Sequence, residues 1–292
     1  MKSQVLKFCK LLFTPLAFAF LLYFAWQSRG ELANLISNAS FLYLGAAALV
    51  WGLLHAVSPV FATVVFKGCG SEVSWYQAFQ THAARLPARY LPGGIWHTVG
   101  RVVDYREQGV AARHLTVFVV LENGLAAATT LAAGGAIVFT MRGADTLGSI
   151  AAVASAVAIV ALPAMLFVLN SRVLQEPDRL SVAAYAKSLC LVFTFWAGAA
   201  AAFLLYLNAF SASSAQYSSI EMAGIYLFSW GVGFISIFAP QGIGVFELVA
   251  SELMNGPIGF MGLAALIAGF RVVVLVADLV VWAIYHSTRR SN

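Results

Sequence analysis

Runs of apolar residues, many of them about 20 residues long or longer, recur along this chain and are separated by short basic segments. Only 10% of the 292 residues are charged, whereas soluble domains carry about 25%. A water-soluble protein of this size could not cover its surface with so few charges, but a protein in lipid needs an apolar exterior. The sequence therefore predicts an all-α polytopic membrane protein whose chemistry happens in or at the membrane.

The apolar runs can be assigned to spans, because a transmembrane helix needs about 20 mostly apolar residues. We predict one transmembrane domain over residues 1–292, with seven or eight transmembrane helices and two segments broken by Pro and Gly. The two broken segments predict a weak internal repeat. Full spans are expected near 9–26, 41–66, 114–140, 147–170, 187–208, 219–238 and 258–286, and shorter pieces near 75–92 and 244–255.

Basic residues in the loops predict the orientation, because loops rich in Lys and Arg stay in the cytoplasm. This rule explains the net charge of +5 without nucleic-acid binding. It places the loops near 67–77, 97–114 and 171–188 on the cytoplasmic side. The piece near 75–92 must then enter and leave on that side as a re-entrant segment.

The two ends of the chain bear on the number of crossings. Three lysines precede the first apolar run, which lacks the small-residue cleavage site of a signal peptide, so we expect an uncleaved span and a cytoplasmic N-terminus. Seven spans would leave Arg289 and Arg290 outside, against the rule for basic residues. We therefore favour an eighth crossing through the broken segment near 240–255, with a re-entrant segment as the alternative.

The first motif with functional potential surrounds a Pro-Gly-Gly sequence at residues 92–94. On a helix, His82, Arg85 and Arg89 would lie on one face, and Pro92-Gly93-Gly94 would end that helix. Backbone N–H groups at such a break attract anions, and arginine side chains pair with phosphate through two hydrogen bonds. The motif predicts a phosphate cradle. The alternative is an interfacial helix whose arginines reach lipid headgroups.

The second motif is the sequence Ala-Pro-Gln-Gly-Ile-Gly-Val-Phe-Glu at residues 239–247. Pro240, Gly242 and Gly244 interrupt the apolar run, and Glu247 follows at membrane depth. Acidic residues in membrane spans are costly and usually functional. The alternative is a tight turn with Glu247 at the membrane interface.

Three further ionisable residues lie within predicted spans. Arg271 and Asp278 are seven residues apart in the last span, so they share a face but lie about 10 Å apart along the axis. We expect each to have another partner, with Glu247 or Glu122 for Arg271. Glu122 could otherwise take a proton or hydrogen-bond to a neighbouring helix. Ion pairs that hold helices together are the alternative interpretation.

Several common classes of site have no signature here. The chain has no phosphate-binding GxxxxGK[ST] loop, no HExxH and no GxSxG motif. Its three cysteines form no CxxC pair and are expected to be small apolar fillers. We therefore expect neither an enzyme nor a metal or cofactor site.

At its two Pro/Gly motifs the sequence resembles the flippase-like transmembrane region of the lysylphosphatidylglycerol synthase (MprF) family, which has many stand-alone members. The matching pieces are residues 89–96 with Gly100 and Arg101, and residues 239–247. The family pattern then has an arginine in the last span, supplied here by Arg271. Gln241 stands where members often carry glycine.

The resemblance implies movement of lipid between leaflets, in a bacterial cytoplasmic (inner) membrane, without the aminoacyl-transfer domain of the two-part synthases. The expected substrate is an anionic phospholipid or a polyprenyl-phosphate-linked lipid, and an enzyme of lipid modification is a possible partner. Arginines outnumber unpaired carboxylates around the motifs, which favours an anionic substrate. The candidate substrate-binding residues are Arg85, Arg89, Pro92, Gly93, Gly94, His97, Arg101, Pro240, Gly242, Gly244 and Arg271. Glu122, Glu247 and Asp278 are candidates for proton exchange or for holding the arginines when no substrate is bound.

Two other classes of function remain open on the sequence alone. A non-transporting scaffold or partner subunit of an envelope lipid or glycolipid pathway would not need an arginine in the middle of a span. A membrane enzyme acting on a lipid phosphate would need a nucleophile or a carboxylate cluster that holds a metal, and the sequence has no pattern of that kind.

Overall fold

A computed structural model describes residues 19–91, 95–210, 217–236, 239–254 and 259–290. In these ranges the chain is helical and has no β-strand, and residues 19–27 are also helical. The named helices are α1 (Arg29–Ser37), α2 (Phe41–Leu54), α3 (Val57–Gly68), α4 (Trp75–Ala84), α5 (Trp96–Glu107), α6 (Ala112–Arg142), α7 (Thr146–Arg172), α8 (Val182–Asn208), α9 (Ser219–Ile235), α10 (Val245–Met254) and α11 (Gly259–Arg290), with 3₁₀ helices at Leu86–Tyr90 and Pro240–Gly242.

Within the described ranges, five helical stretches are long and apolar enough to cross a membrane. They match five of the predicted spans and show a membrane-embedded helical protein: Phe41–Gly68, Ala112–Arg142, Thr146–Arg172, Val182–Asn208 and Gly259–Thr288. Helix α9 is apolar but has only 17 residues. Most of the first predicted span lies outside the described residues.

Polar residues at the helix starts explain where several helices begin. Ser74 with Gln77, and Ser218 with Glu221, form capping boxes at the starts of α4 and α9. The carboxylate of Asp145 accepts a hydrogen bond of 2.7 Å from the backbone N–H of Gly148 at the start of α7. Such side chains satisfy N–H groups that have no partner within the helix, so they fix the ends of the apolar runs.

Helix α6 lies between α7 and α9 and approaches α9 very closely. A Cβ atom at Gly134 would lie 2.3 Å from the backbone nitrogen of Phe228, so only glycine allows this contact. Small residues commonly allow such close packing between membrane helices. Helix α7 is peripheral, because its side chains are mostly exposed, with Phe167 at 74%, as expected for a helix that faces lipid.

Two loops and the first turn of α6 meet at one end of the molecule. The Ser71 hydroxyl lies 2.7 Å from Nδ1 of His114, whose Nε2 lies 3.1 Å from the carboxylate of Asp178, and Arg113 also pairs with Asp178. This contact order resembles a hydrolase triad, but the serine faces Nδ1 and the carboxylate faces Nε2, the reverse of the usual arrangement. We interpret the cluster as a lock between loops that the sequence predicts on one membrane side.

The lock also shows that the segment from α4 to α5 begins and ends at the same end of the molecule, because Ser71 precedes α4 and His114 follows α5. Cys69 is buried beside it, and burial, with a smaller contribution from the charge of Asp178, raises the pKa of its thiol to about 11. Cys69 therefore stays protonated as the predicted small filler, while Cys190 is exposed.

The predicted break in the second motif is confirmed, since α9 ends at Ile235 and α10 begins at Val245. Between them, Gln241, Gly242 and Gly244 have φ values of 54°, 66° and 84°, which L side chains rarely adopt. Gly242 also packs on the backbone of Gly233, and a Cβ atom at Gly242 would lie 2.9 Å from it. The turn therefore needs glycine at Gly242 for both conformation and space.

A pair of substitutions separates these two requirements. Gly259 has nearly the same φ as Gly242, 67° against 66°, but a Cβ atom at Gly259 would have no described residue within 4 Å of it. We expect Gly242→Ala to destabilise the protein by about 1–3 kcal/mol more than Gly259→Ala, because only Gly242 adds a backbone clash to the unfavourable φ. Thermal unfolding of the purified protein in detergent measures the difference, and equal melting temperatures would contradict the close contact with Gly233.

Candidate functional site

The carboxylate of Asp278 is the centre of a buried polar cluster. Its side chain is 1% exposed, and Oδ1 accepts a hydrogen bond of 3.0 Å from Nε1 of Trp51 and lies 2.9 Å from Nε2 of His55. Oδ2 accepts hydrogen bonds from Arg89 at 3.0 Å and from the Tyr90 hydroxyl at 2.9 Å. A buried carboxylate requires such partners, and these partners connect α2, the first 3₁₀ helix and α11.

His55 shows how deep this cluster lies. It occupies the junction between α2 and α3, inside the continuous span Phe41–Gly68. At 1.5 Å per residue it is roughly 20 Å from either end of that span. The Asp278 cluster therefore lies about half-way along a helix that is long enough to cross a bilayer.

Two more histidines extend the cluster. His55 Nδ1 lies 2.9 Å from His82 Nε2, and the His82 and His97 rings are 5.5 Å apart between centroids. His55 and His82 are buried, at 3% and 5% exposure, whereas His97 is half-buried. His82 Nδ1, His97 Nε2 and Arg101 Nε are enclosed and have no hydrogen-bond partner among the described residues.

Arg101 and Glu122 form a separate buried pair. Two guanidinium nitrogens of Arg101 donate to the two carboxylate oxygens of Glu122 at 2.7 and 2.5 Å, and the guanidinium lies over the ring of Phe118. Only 3% of the Arg101 side chain is exposed. The suggestion of Glu122 as the partner of Arg271 is therefore wrong, because its carboxylate is occupied by Arg101.

The predicted pairing of Arg271 with Glu247 is confirmed. Arg271 Nε donates to Glu247 Oε1 at 2.5 Å, and the backbone N–H of Gly244 donates to Oε2 at 2.7 Å. Glu247 is completely buried in the first turn of α10, where the helix dipole favours a negative charge. Arg271 and Asp278 do not pair with each other, as the sequence predicted.

Gln241 joins the two broken segments. Its side-chain amide donates a hydrogen bond to the backbone carbonyl of Arg89. The backbone carbonyl oxygen of Gln241 lies 3.5 Å from both terminal nitrogens of Arg271. The Arg89 and Arg271 side chains are 32% and 29% exposed. Gln241 adopts the left-handed conformation, which explains why glycine suits this position, and its side chain provides the contact that glycine lacks.

The prediction that His82, Arg85 and Arg89 share one helix face is wrong. Helix α4 ends at Ala84, and a 3₁₀ helix follows, so the spacing of an α-helix does not continue. Arg85 donates to Asp104 on α5 at 2.7 and 2.5 Å, whereas Arg89 turns toward Asp278. Pro92, Gly93 and Gly94 lie outside the described residues, as does the side chain of Pro240.

The sequence predicted that arginines outnumber unpaired carboxylates here, and in the structure the four arginines are themselves paired. Arg85, Arg89, Arg101 and Arg271 each form an ion pair, with partners Asp104, Asp278, Glu122 and Glu247. These eight side chains carry no net charge when all are ionised. An anionic ligand would therefore require a change in these pairs or the uptake of positive charge.

Sequence reasoning missed His55, Trp51, Tyr90 and Asp104. The signal for His55 was available, because a histidine in the middle of an apolar span is rare unless it is functional. No group of three or more His, Cys, Asp or Glu side chains within the described ranges is arranged to hold a metal ion. Neither models of protein families nor the curated proteins gave any match to this chain.

Proposed function

We propose that this protein is a flippase-type transporter that moves an anionic lipid or lipid-linked precursor between the leaflets of a bacterial cytoplasmic membrane. The observation that carries the proposal is the junction at Gln241, which contacts the backbone carbonyl of Arg89 in the first broken segment and the guanidinium of Arg271. Interrupted helices that meet at membrane depth are typical of transporter binding sites. The resemblance to the flippase-like region of the MprF family supports the same function.

The chemistry of the two arginines suits a phosphate headgroup. Arg89 uses Nη1 to bind Asp278, and Arg271 uses Nε to bind Glu247, so each guanidinium has further donors for a ligand. The buried carboxylates hold the arginines while no headgroup is present. A headgroup between the arginines replaces part of this interaction, while its acyl or prenyl chains stay in the lipid, so that no unpaired charge crosses the membrane.

The proposal includes the finer topology predicted from the sequence. The segment from α4 to α5 is re-entrant and the N-terminus is cytoplasmic. The predicted first span near 9–26 and α9 bring the five long stretches to seven crossings, and α10 provides the eighth. The return of the chain to the loop lock at His114 supports the re-entrant segment.

A non-transporting partner subunit of an envelope lipid pathway is the second candidate. The charge balance favours it, because four arginine–carboxylate pairs also suit a purely structural role between helices. The two candidates differ in whether the exposed sides of Arg89 and Arg271 bind an anion.

Mass spectrometry of lipids that copurify in mild detergent distinguishes them. We would compare wild type, Arg89→Lys/Arg271→Lys and Arg142→Ala. The double variant keeps both charges but loses the planar fork that binds phosphate through two hydrogen bonds. Arg142 is a control, because it pairs with Asp145 at the other end of α6. We expect one anionic lipid species to be enriched over the bulk membrane in wild type and Arg142→Ala and lost in the double variant. If the lipids that copurify with all three proteins had the composition of the bulk membrane, the result would support the partner subunit.

A further inference from the structure

We infer that His97, His82, His55 and Asp278 form a proton relay that couples binding of the anionic headgroup at Arg89 to uptake of a proton. The inference rests on the proposed function and adds its energy source, a proton gradient. It follows from the hydrogen-bond order in the cluster, from the unpartnered nitrogens at its outer end and from the position of Arg89 on the same carboxylate.

The hydrogen-bond order fixes the protonation of each nitrogen. An ionised Asp278 accepts from His55 Nε2, so neutral His55 carries its proton there and its Nδ1 accepts from His82 Nε2. His82 Nδ1 is then a lone-pair nitrogen, and it is enclosed without a partner in the described part of the chain. This nitrogen is the site at which a proton enters.

Proton transfer along the relay is balanced in protons and in charge. A proton that binds His82 Nδ1 is matched by transfer of the Nε2 proton of His82 to His55 Nδ1, and the Nε2 proton of His55 passes to Asp278 Oδ1. Each imidazole gains one N–H and gives up the other, so both end neutral in the opposite tautomer. The net result is one proton taken up and Asp278 converted to its neutral acid.

The outer end of the relay is His97. It is the most exposed of the three histidines, and its ring centroid is 5.5 Å from that of His82, a gap that a ring rotation or one water molecule spans. His97 Nε2 and Arg101 Nε are the other enclosed nitrogens without a partner among the described residues. These polar groups favour water at the entry point, because unpaired buried nitrogens are costly.

The surrounding charges favour passage of the proton over its storage. Arg89 and Arg101, the latter paired with Glu122, lie beside His82 and His97. Asp278, which also accepts from Tyr90, lies against His55. The positive charges of Arg89 and Arg101 beside the relay disfavour a long-lived imidazolium on its histidines. Arg89 holds the ionised Asp278 through Oδ2, so the proton reaches the carboxylate when a phosphate takes over Arg89.

Protonation of Asp278 acts directly on the binding site. Its carboxylate binds His55 through Oδ1 and Arg89 through Oδ2. When Oδ1 is protonated, the ion pair with Arg89 is lost, and the guanidinium is available for a phosphate. One proton and one negative charge therefore enter together, and the buried site keeps its neutrality.

The relay is tested first without lipid, by infrared spectroscopy of the buried carboxyl group after a pH drop. Each protein carries Arg89→Gln in addition to the changes named below, because Arg89 keeps Asp278 ionised while no lipid is bound. Loss of the signal in Asp278→Asn identifies it. We would compare wild type with His55→Gln and His82→Gln, which keep hydrogen bonding but cannot relay a proton, and with His114→Gln, a buried histidine outside the cluster. We expect Asp278 to be protonated about 100-fold more slowly in the first two variants, and at the wild-type rate in His114→Gln. Equal rates in all four proteins would overturn the relay.

The coupling is tested separately with short-chain phosphatidylglycerol in weakly buffered detergent. We expect wild type and His114→Gln to take up about one proton per bound lipid from that solution, since the site must stay neutral. Binding without proton uptake would overturn the coupling and leave the flippase proposal in place. Absence of binding at any pH would count against the flippase proposal and against the coupling, while the infrared experiment still decides whether the relay exists.

Discussion

Asp278→Ala is expected to destabilise the protein by about 3–5 kcal/mol, the cost of removing one partner of a buried ion pair. The substitution leaves Arg89 without its carboxylate and removes the acceptor of Trp51 and Tyr90. Asp278→Asn keeps the shape and part of the hydrogen bonding, so its loss should be smaller. Thermal unfolding in detergent, monitored by intrinsic fluorescence, measures the stability of both variants relative to wild type.

Asp145→Ala is the control for this prediction. Asp145 also accepts hydrogen bonds and pairs with an arginine, but it lies at the exposed start of α7. If Asp278→Ala lowered the melting temperature no more than Asp145→Ala, the central position of Asp278 in the structure would be wrong.

Glu247→Ala is expected to have an effect of similar size, about 3–5 kcal/mol, because it leaves Arg271 unpaired and frees the N–H of Gly244. The double variant Glu247→Leu/Arg271→Leu should recover most of the stability, because it removes both charges together. A double-mutant cycle of unfolding free energies gives the interaction between the two residues.

The same helix provides the control. Glu252 lies on α10 but is exposed, so Glu252→Ala should change stability by less than about 0.5 kcal/mol. If Glu247→Leu/Arg271→Leu were as unstable as Glu247→Ala alone, Glu247 and Arg271 would not act as a unit.

The sequence predicted the class of fold and most of the spans for a clear physical reason. Apolar runs of membrane length have few alternatives in lipid or in water, and five predicted spans coincide with helices. The break at Gly242 was also predictable, because Pro and Gly interrupt helices whatever their tertiary context.

The arrangement of the site was less predictable, because it depends on contacts between distant segments. Arg85 and Arg89 follow each other closely in sequence, but a 3₁₀ helix turns one to Asp104 and the other to Asp278. The pairing of all four arginines was unpredictable for the same reason, since each carboxylate partner except Glu247 lies outside the two motifs. His55 was passed over because it interrupts an apolar span without any local motif.

Translocation of a fluorescent phosphatidylglycerol across the bilayer of liposomes is the decisive test of the proposed flippase. We predict transfer between leaflets with wild type and Arg142→Ala, and a loss of transfer with Arg89→Lys/Arg271→Lys when all three proteins melt at similar temperatures. Equal transfer by the double variant and wild type would contradict the binding site at Arg89 and Arg271. Absence of transfer by wild type, with phosphatidylglycerol or with a polyprenyl phosphate, would contradict the flippase itself.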